Sequence, residues 1–271
     1  MTARSYTPSG TVTLLTDFGD KDPFVGVMKG ILSWRFPEAR LIDLCHGIEP
    51  GDIAEGCFWL ERCYTWFVPG TVHVAVVDPG VGSPRRALAA RGDGYFFVGP
   101  DNGLLAGALA CARDAEVHKI DLAVLGIGPG QGAEPSATFH GRDVFAPAAA
   151  AIASGRLSLD AIGPRVAASV APASPPPHVD AGVVVGRVAT IDRFGNLVTN
   201  IPSRLVTAGS DTRVRIAGRE LPLVRTYSDV ARGELAAMIG SFHTVEIARR
   251  DASAAQALGV GKGTEVRMGA A

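Results

Sequence analysis

The chain has 271 residues, 47% of them hydrophobic and 20% charged, with a formal net charge of -1. That length can bury a substantial core in one large or two small domains. The near-neutral balance excludes the basic field of a nucleic-acid binder and the polybasic patch of a membrane-surface protein, so a small molecule or another subunit is the expected partner. Asp, Lys, Arg or Pro interrupts every apolar stretch well before the roughly 18 residues that a membrane span needs. Met1 to Gly10 lacks the apolar core of a signal peptide, so a cytoplasmic location is expected. Cys45, Cys57, Cys63 and Cys111 form no CxxC pair, and three of them sit in apolar surroundings, where core packing is expected rather than redox or zinc work.

In chain order, Thr11 to Leu15 reads as a strand that ends in Thr16-Asp17-Phe18-Gly19-Asp20. Phe24 to Phe36 has helical spacing through Val27, Ile31 and Trp34, and Pro37 closes it. Leu41 to Leu44 predicts a second strand, with Cys45-His46-Gly47 at its end. Asp52 is placed to N-cap a helix through Tyr64 whose Ile53, Cys57, Leu60 and Tyr64 share one face. The β-branched run Val72, Val74, Val76, Val77 predicts a buried strand, and it runs straight into Asp78-Pro79-Gly80-Val81-Gly82-Ser83-Pro84-Arg85-Arg86.

The prolines and glycines of that stretch force a sharp turn, which can return Arg85 to the side of Asp78. In an open α/β sheet, ligands bind beyond the carboxyl ends of the strands, so Asp78 stands where a site is expected. The competing reading is a structural aspartate that caps the turn and pairs with Arg85. Tyr95 to Val98 is a further strand, Gly99-Pro100-Asp101-Asn102-Gly103 a polar turn, and Leu104 to Cys111 a helix.

Gly126 to Gly132 is glycine-dense, but it lacks the Lys-Ser/Thr of a phosphate loop and is read as a flexible loop. Thr138-Phe139-His140-Gly141-Arg142-Asp143 opens an Ala-rich helix over Val144 to Ser154, and a helix N-terminus favours anions. Strands alternating with helices predict an α/β domain over 1–170, a parallel sheet with helices on both faces. The Pro-rich stretch 171–180 reads as a linker.

Over 181–271 the texture changes to β-branched runs (Gly182 to Ile191, Val198 to Ile201, Arg213 to Ile216, Thr244 to Ala248), which predict a smaller all-β, barrel-like domain. Inside it, Asp192, Phe194 and Asn196 fall within five residues. Such a group can read a nucleobase by stacking and hydrogen bonding, or it can be a hairpin turn whose Asp and Asn satisfy local backbone.

Taken together, Thr16 to Gly19, Phe24 to Gly30, Asp78 to Gly82, Pro100 to Leu105, Thr138 to Asp143 and Asp192 to Asn200 form an ordered set. That set resembles the S-adenosyl-L-methionine (SAM) hydroxide adenosyltransferases, the adenosine-forming SAM hydrolases related to fluorinating and chlorinating SAM enzymes. The resemblance spans about Thr11 to Val266. It implies attack by water or hydroxide on the ribose C5′ of SAM, with methionine as the leaving group. It also implies no cofactor and no metal, because the sulfonium is already an activated leaving group. The hydrolytic branch carries an Asp, an Arg seven residues on and a His in Phe-His-Gly-Arg-Asp, which correspond here to Asp78, Arg85 and His140. The halogenating relatives have Tyr in place of Asp78 and Tyr-Ser in place of His140-Gly141. Either His140 or Asp78 can take the proton, while Arg85 stabilises developing hydroxide.

For the substrate, the resemblance implies that Asp17 accepts from the ribose diol, that Phe194 and Tyr227 pack on adenine and that Asn196 reads its edge. Asp192 would meet the methionine ammonium and Ser241 its carboxylate, with Arg250 and Asp251 near adenine. The chain departs from the halogenating relatives in following Ser241 with Phe242-His243 rather than Arg. A homotrimer is also implied, with each site between the amino-terminal domain of one subunit and the carboxy-terminal domain of its neighbour.

Two other functions compete. One is a metal-dependent nucleoside or phosphate-ester hydrolase using Asp17, Asp43, His46, Asp78, Asp101 and His140 as hard-metal ligands. The other is a SAM or adenosine sensor that binds without turnover.

Overall fold

The computed structural model describes residues 7–127, 134–167, 174–206 and 212–270, and the chain divides into two compact units, Met1–Ala173 and Ser174–Ala271. Most of the glycine-dense loop, and the start of the stretch read as a linker, lie outside the described residues.

The first unit runs β1 (Thr11–Thr16), α1 (Phe24–Arg35), β2 (Arg40–Cys45), α2 (Ile53–Cys63), β3 (Val72–Val76), β4 (Ala87–Gly92), β5 (Tyr95–Pro100), α3 (Ala106–Cys111), β6 (Glu116–Lys119) and α4 (Ala146–Ala153). Its strands form one six-stranded sheet in the order β2-β1-β3-β5-β4-β6. The first four are parallel, as expected, but β4 runs antiparallel to both β5 and β6, so the sheet is mixed. The cause is local. Asp93 and Gly94 join β4 to β5 with φ of 49° and 92°, the two left-handed residues of a tight hairpin turn.

Alternation along the strands sends side chains to two cores. Val72, Val74 and Val76 of β3 pack with Met28 and Leu32 of α1 and with the alanines of α4. Ala75 and Val77 face the other way, with Leu60 of α2 and Ala108 of α3. Helices thus cover both faces, and the adjacent parallel strands β1 and β3 deliver Asp17 and Asp78 beyond the same, carboxyl-terminal end of the sheet.

The second unit contains β7 (His178–Asp180), β8 (Val183–Ile191), β9 (Leu197–Pro202), β10 (Thr212–Ile216), β11 (Arg219–Pro222), β12 (Leu235–Ile239), β13 (Thr244–Arg249), α5 (Ala254–Leu258) and β14 (Glu265–Ala270). Antiparallel pairing follows the path β11-β10-β14-β8-β9-β13-β12, and a bridge between Leu223 and Ala237 draws the two ends of the path together into a nearly closed barrel. Val188, Val214, Val245, Ile247, Val266 and Met268 fill its interior. One detail differs from the sequence reading: His178–Asp180, the end of the expected linker, pairs with β8 as a strand. Among the described residues no helix is long and apolar enough to cross a membrane.

Candidate active site

Asp17 follows directly on β1, half-buried. Its Oδ2 accepts from the backbone N–H of Gly51 at 2.8 Å, which orients the carboxylate from behind. The next residue, Phe18, packs edge-on against Phe139 at 6.0 Å, so the loop bearing Asp17 lies against the loop that leads into His140.

Asp78 leaves β3 after the fully buried Val77. The turn closes through Val81 N–H to the Asp78 carbonyl and Ser83 N–H to the Gly80 carbonyl, each at 3.1 Å. Gly82 has φ of 79°, and a Cβ there would stand 2.5 Å from the carbonyl oxygen of Ala137. Only glycine lets this turn press so closely on the segment before His140. The strand end is held from the other side by Asn102, whose Nδ2 donates to the Val77 carbonyl at 2.8 Å. The neighbouring Arg86 pairs with the buried Asp101 through Nε at 2.7 Å.

Arg85 returns across the turn as the sequence suggested. Its Nε donates to Asp78 Oδ1 at 2.8 Å and its Nη2 to Asp78 Oδ2. The side chains of Arg85 and Asp78 are only 10% and 5% exposed, and the guanidinium lies over the ring of Phe145, 5.3 Å from its centroid. The same Nη2 reaches Nδ1 of His140 at 2.8 Å. A guanidinium has no acceptor, so Nδ1 must be the accepting nitrogen, and the neutral ring carries its proton on Nε2. Burial first, then the Arg85 charge, push His140 below the ordinary imidazole value, while Asp78 and Asp143 pull it back.

His140 begins the wide helical turn Gly141–Phe145 that runs into α4. The anion-favouring end of that helix is already served by Asp143, which accepts from Ser136 N–H at 2.8 Å and from Arg142. Asp78, Arg85 and His140, more than 60 residues apart at their extremes, therefore meet as one unit.

In the second unit, Asp192 ends a strand and organises its own turn. Oδ1 accepts from the N–H groups of Phe194 and Asn196 at 2.9 and 2.8 Å, and Oδ2 from Asn196 Nδ2 at 2.9 Å. This is the hairpin arrangement that competed with nucleobase reading, and it leaves the Phe194 ring 78% exposed. The hydroxyl of Tyr227 donates to Glu246 Oε1 at 2.6 Å, and the Asp192 charge bears on both of them. Asp192, Asn196 and Tyr227 thus lie in one neighbourhood.

Ser241 is exposed on the turn between β12 and β13. Arg250 turns inward to the Val230 carbonyl at 2.7 Å, bracing the segment that carries Tyr227. Asp251 pairs instead with Arg232 at 3.1 Å on an exposed surface. Sequence reasoning missed Glu246, a 9%-exposed carboxylate. Its signal, one acid in a β-branched strand, was present but indistinct.

The alternative metal set does not converge. Asp78 and His140 share Arg85, Asp101 holds Arg86, and Asp43 lies 2.6 Å from Lys29 Nζ and 2.9 Å from His46 Nε2. Placing arginines on the carboxylates is the wrong donor set for a hard cation. Among the described residues, metal-like spacing occurs elsewhere, at Glu116, His118 and Asp160, where Arg91 already pairs with Glu116.

Known proteins bear on this geometry. The amino-terminal domain model of the SAM hydroxide adenosyltransferases matches residues 12–163 and the carboxy-terminal domain model residues 186–267. Proteins named (R)-S-adenosyl-L-methionine hydrolase from Thermus thermophilus and Salinispora tropica are 39% and 40% identical, over 95% and 96% of this chain and 98% of each relative. A protein named fluorinase from Actinopolyspora mzabensis is 26% identical over 95% of this chain and 96% of its own. A crystal structure of an uncharacterised conserved protein from Thermotoga maritima superposes with a TM-score of 0.87 at 35% identity, covering 95% of this chain and 99% of that one. On both its domains, the chain belongs to the SAM hydroxide adenosyltransferase family.

Proposed function

We propose that this protein hydrolyses S-adenosyl-L-methionine to adenosine and L-methionine. The observation that carries the reading is the Arg85-centred unit with Asp78 and His140, in a chain about two-fifths identical to proteins named for that reaction. A water oxygen forms the new bond to C5′ as the C5′–sulfur bond breaks, and the sulfonium leaves as neutral methionine. The water's proton passes to the protein. Water is a poor nucleophile at neutral pH, so the site must hold it in line and stabilise hydroxide character. Asp78 is the acceptor of choice, because His140 already uses Nδ1 toward Arg85 and offers Nε2–H as a donor. Arg85 supplies a fixed positive charge beside the developing hydroxide.

On the substrate side we assign Asp17 to the ribose diol, Phe194, Tyr227 and Asn196 to adenine, Asp192 to the ammonium and Ser241 to the carboxylate, with Arg250 and Asp251 at the rim of the adenine site. The relatives' name specifies the (R) form, and we extend that preference to this chain. No metal is needed, since the leaving group carries its own charge. Cys45, Cys57, Cys63 and Cys111 form no disulfide among the described residues, which fits a reducing, cytoplasmic setting. We also propose a homotrimer with sites shared between subunits, on the family resemblance. A fully active monomer in sedimentation experiments would refute the trimer.

The deciding experiment incubates the purified protein with (R)- and (S)-SAM separately, with and without chelator and with and without halide, and separates the products by chromatography. Adenosine and methionine from the (R) form, unaffected by chelator, are expected, with solvent heavy oxygen appearing on the 5′-hydroxyl. A 5′-halo-adenosine product, or binding without any product, would overturn the reaction. Loss of activity on chelation would favour the metal-dependent reading.

A further inference from the structure

We propose that Glu246 is a positioning residue for the nucleoside: it fixes the Tyr227 ring through the phenol hydroxyl and, by lying against Gly240, ties that ring to the turn carrying Ser241. The inference rests on the adenine role assigned to Tyr227.

Tyr227 occupies a single helical turn, Tyr227–Asp229, closed by a reciprocal cap between Thr226 and Asp229. Residues 225–229 are all exposed, and the Tyr227 ring is 44% exposed. Packing therefore does little to hold the ring, and its far end is held by the 2.6 Å bond to Glu246.

Glu246 lies in the middle of β13, between Val245 and Ile247 of the barrel core, so alternation sends its side chain out of the barrel. It is nevertheless 9% exposed. A buried carboxylate in such a strand costs stability unless it is hydrogen-bonded, and the Tyr227 hydroxyl supplies a partner.

The second contact is steric. A Cβ at Gly240 would come within 2.4 Å of Glu246 Oε2, so glycine there lets the carboxylate rest on the turn. That turn is closed by Gly240 N–H to the Thr244 carbonyl at 2.9 Å and His243 N–H to the Gly240 carbonyl at 3.0 Å, and it carries Ser241. One carboxylate thus sets two side chains assigned to opposite ends of the same substrate. Burial and the carboxylates of Glu246 and Asp192 keep the Tyr227 phenol protonated well above neutrality, so the donor persists across any practical assay range.

The test compares Tyr227→Phe, Glu246→Ala, Glu246→Gln and the Tyr227→Phe/Glu246→Ala double variant. SAM turnover and adenosine binding by calorimetry are both measured. Tyr227→Phe removes only the hydroxyl and keeps the apolar ring, so it remains informative if Glu246→Ala does not fold. We expect Tyr227→Phe and Glu246→Ala each to raise KM and weaken adenosine binding by about 10–150-fold, the scale of one lost hydrogen bond to a charged group, with kcat changed far less. The double variant should be no worse than the weaker single, and Glu246→Gln, which retains an acceptor, should recover most of the affinity. A folded Tyr227→Phe with wild-type KM and adenosine affinity overturns the inference, as do independent penalties in the double variant. Wild-type protein that binds adenosine but does not turn over SAM would refute the reaction alone, because the adenosine measurement still decides the role of Glu246.

Discussion

Arg85 donates to both carboxylate oxygens of Asp78 from a position almost closed to solvent. Because the same guanidinium also holds His140, Arg85 joins the three side chains into one unit, and its removal releases both partners. Asp78→Asn, Arg85→Gln and His140→Ala should each lower kcat by roughly 10²–10⁴-fold, the scale of a positioned acid–base group. Pairs of these changes should fall little further. Single-turnover adenosine release measures this directly, and penalties that multiply would reduce Asp78 and Arg85 to a structural ion pair. Circular dichroism must accompany the assay, since orphaning one partner of a buried pair costs about 3–5 kcal/mol.

His140 is held neutral by burial and by Arg85, which gives its titration a definite sign. Its midpoint, followed by the ring-proton NMR signals, should lie below the ordinary imidazole value of about 6.5. Activity that depends on the neutral ring should decline only as pH falls through that lowered midpoint. In Arg85→Gln the repulsive charge is gone, so the midpoint should move upward. A downward shift, or none, would mean that the Arg85 charge does not act on the ring.

Asp17 and Asp78 were legible in the sequence because β-branched runs ending in Asp and then Gly or Pro leave the backbone few choices. The union of Arg85 with Asp78 followed from the same turn. His140 was legible only by resemblance, since nothing within its own segment says that it lands 55 residues back on Arg85.

β4 escaped notice because Ala87–Gly92 is half alanine and holds no β-branched residue, and it becomes a strand through pairing on both sides, a tertiary effect that outweighs propensity. The turn at Asp93-Gly94 was the overlooked clue. Glu246 was unreadable for another reason: in a period-2 pattern an acid looks like an outward, wet position, and the phenol that buries it sits on a loop 19 residues earlier.

Asp17, assigned above to the ribose diol, has one oxygen, Oδ2, occupied by the Gly51 N–H. Asp17→Ala should weaken adenosine and SAM binding by about 1.5–3 kcal/mol, the range for hydrogen bonds to a charged acceptor. Asp17→Asn keeps an acceptor for one hydroxyl and should cost less. Calorimetry with adenosine and with 2′-deoxyadenosine separates the cases. The wild type should prefer adenosine and Asp17→Ala should not, and equal preference in both proteins would remove Asp17 from the ribose.

His73, on β3 beneath the site, provides a test of the scaffold itself. It is fully buried, bonded through Nδ1 to Thr13 Oγ1 at 2.7 Å and stacked on Phe97 at 5.6 Å. Among the described residues its Nε2 has no hydrogen-bond partner. Burial pushes the imidazole down to about 3, so the folded protein keeps it neutral where the unfolded chain, with a value of about 6.5, binds a proton. The unfolded state therefore takes up more protons between these limits, and stability must fall as pH drops from about 6.5 toward 3. From pH 6.5 to 5 this one group should remove roughly 2 kcal/mol. The window lies above the ordinary carboxylate range, so Asp43, Glu116 and Asp143, all held below their usual values, lose their contributions only at lower pH. Trp34, Trp59 and Trp66 lie in the first unit with His73, and urea unfolding followed by their fluorescence reports on that unit. The slope of stability against pH over this window should shrink in His73→Leu, and an unchanged slope would show that His73 does not titrate between the two states.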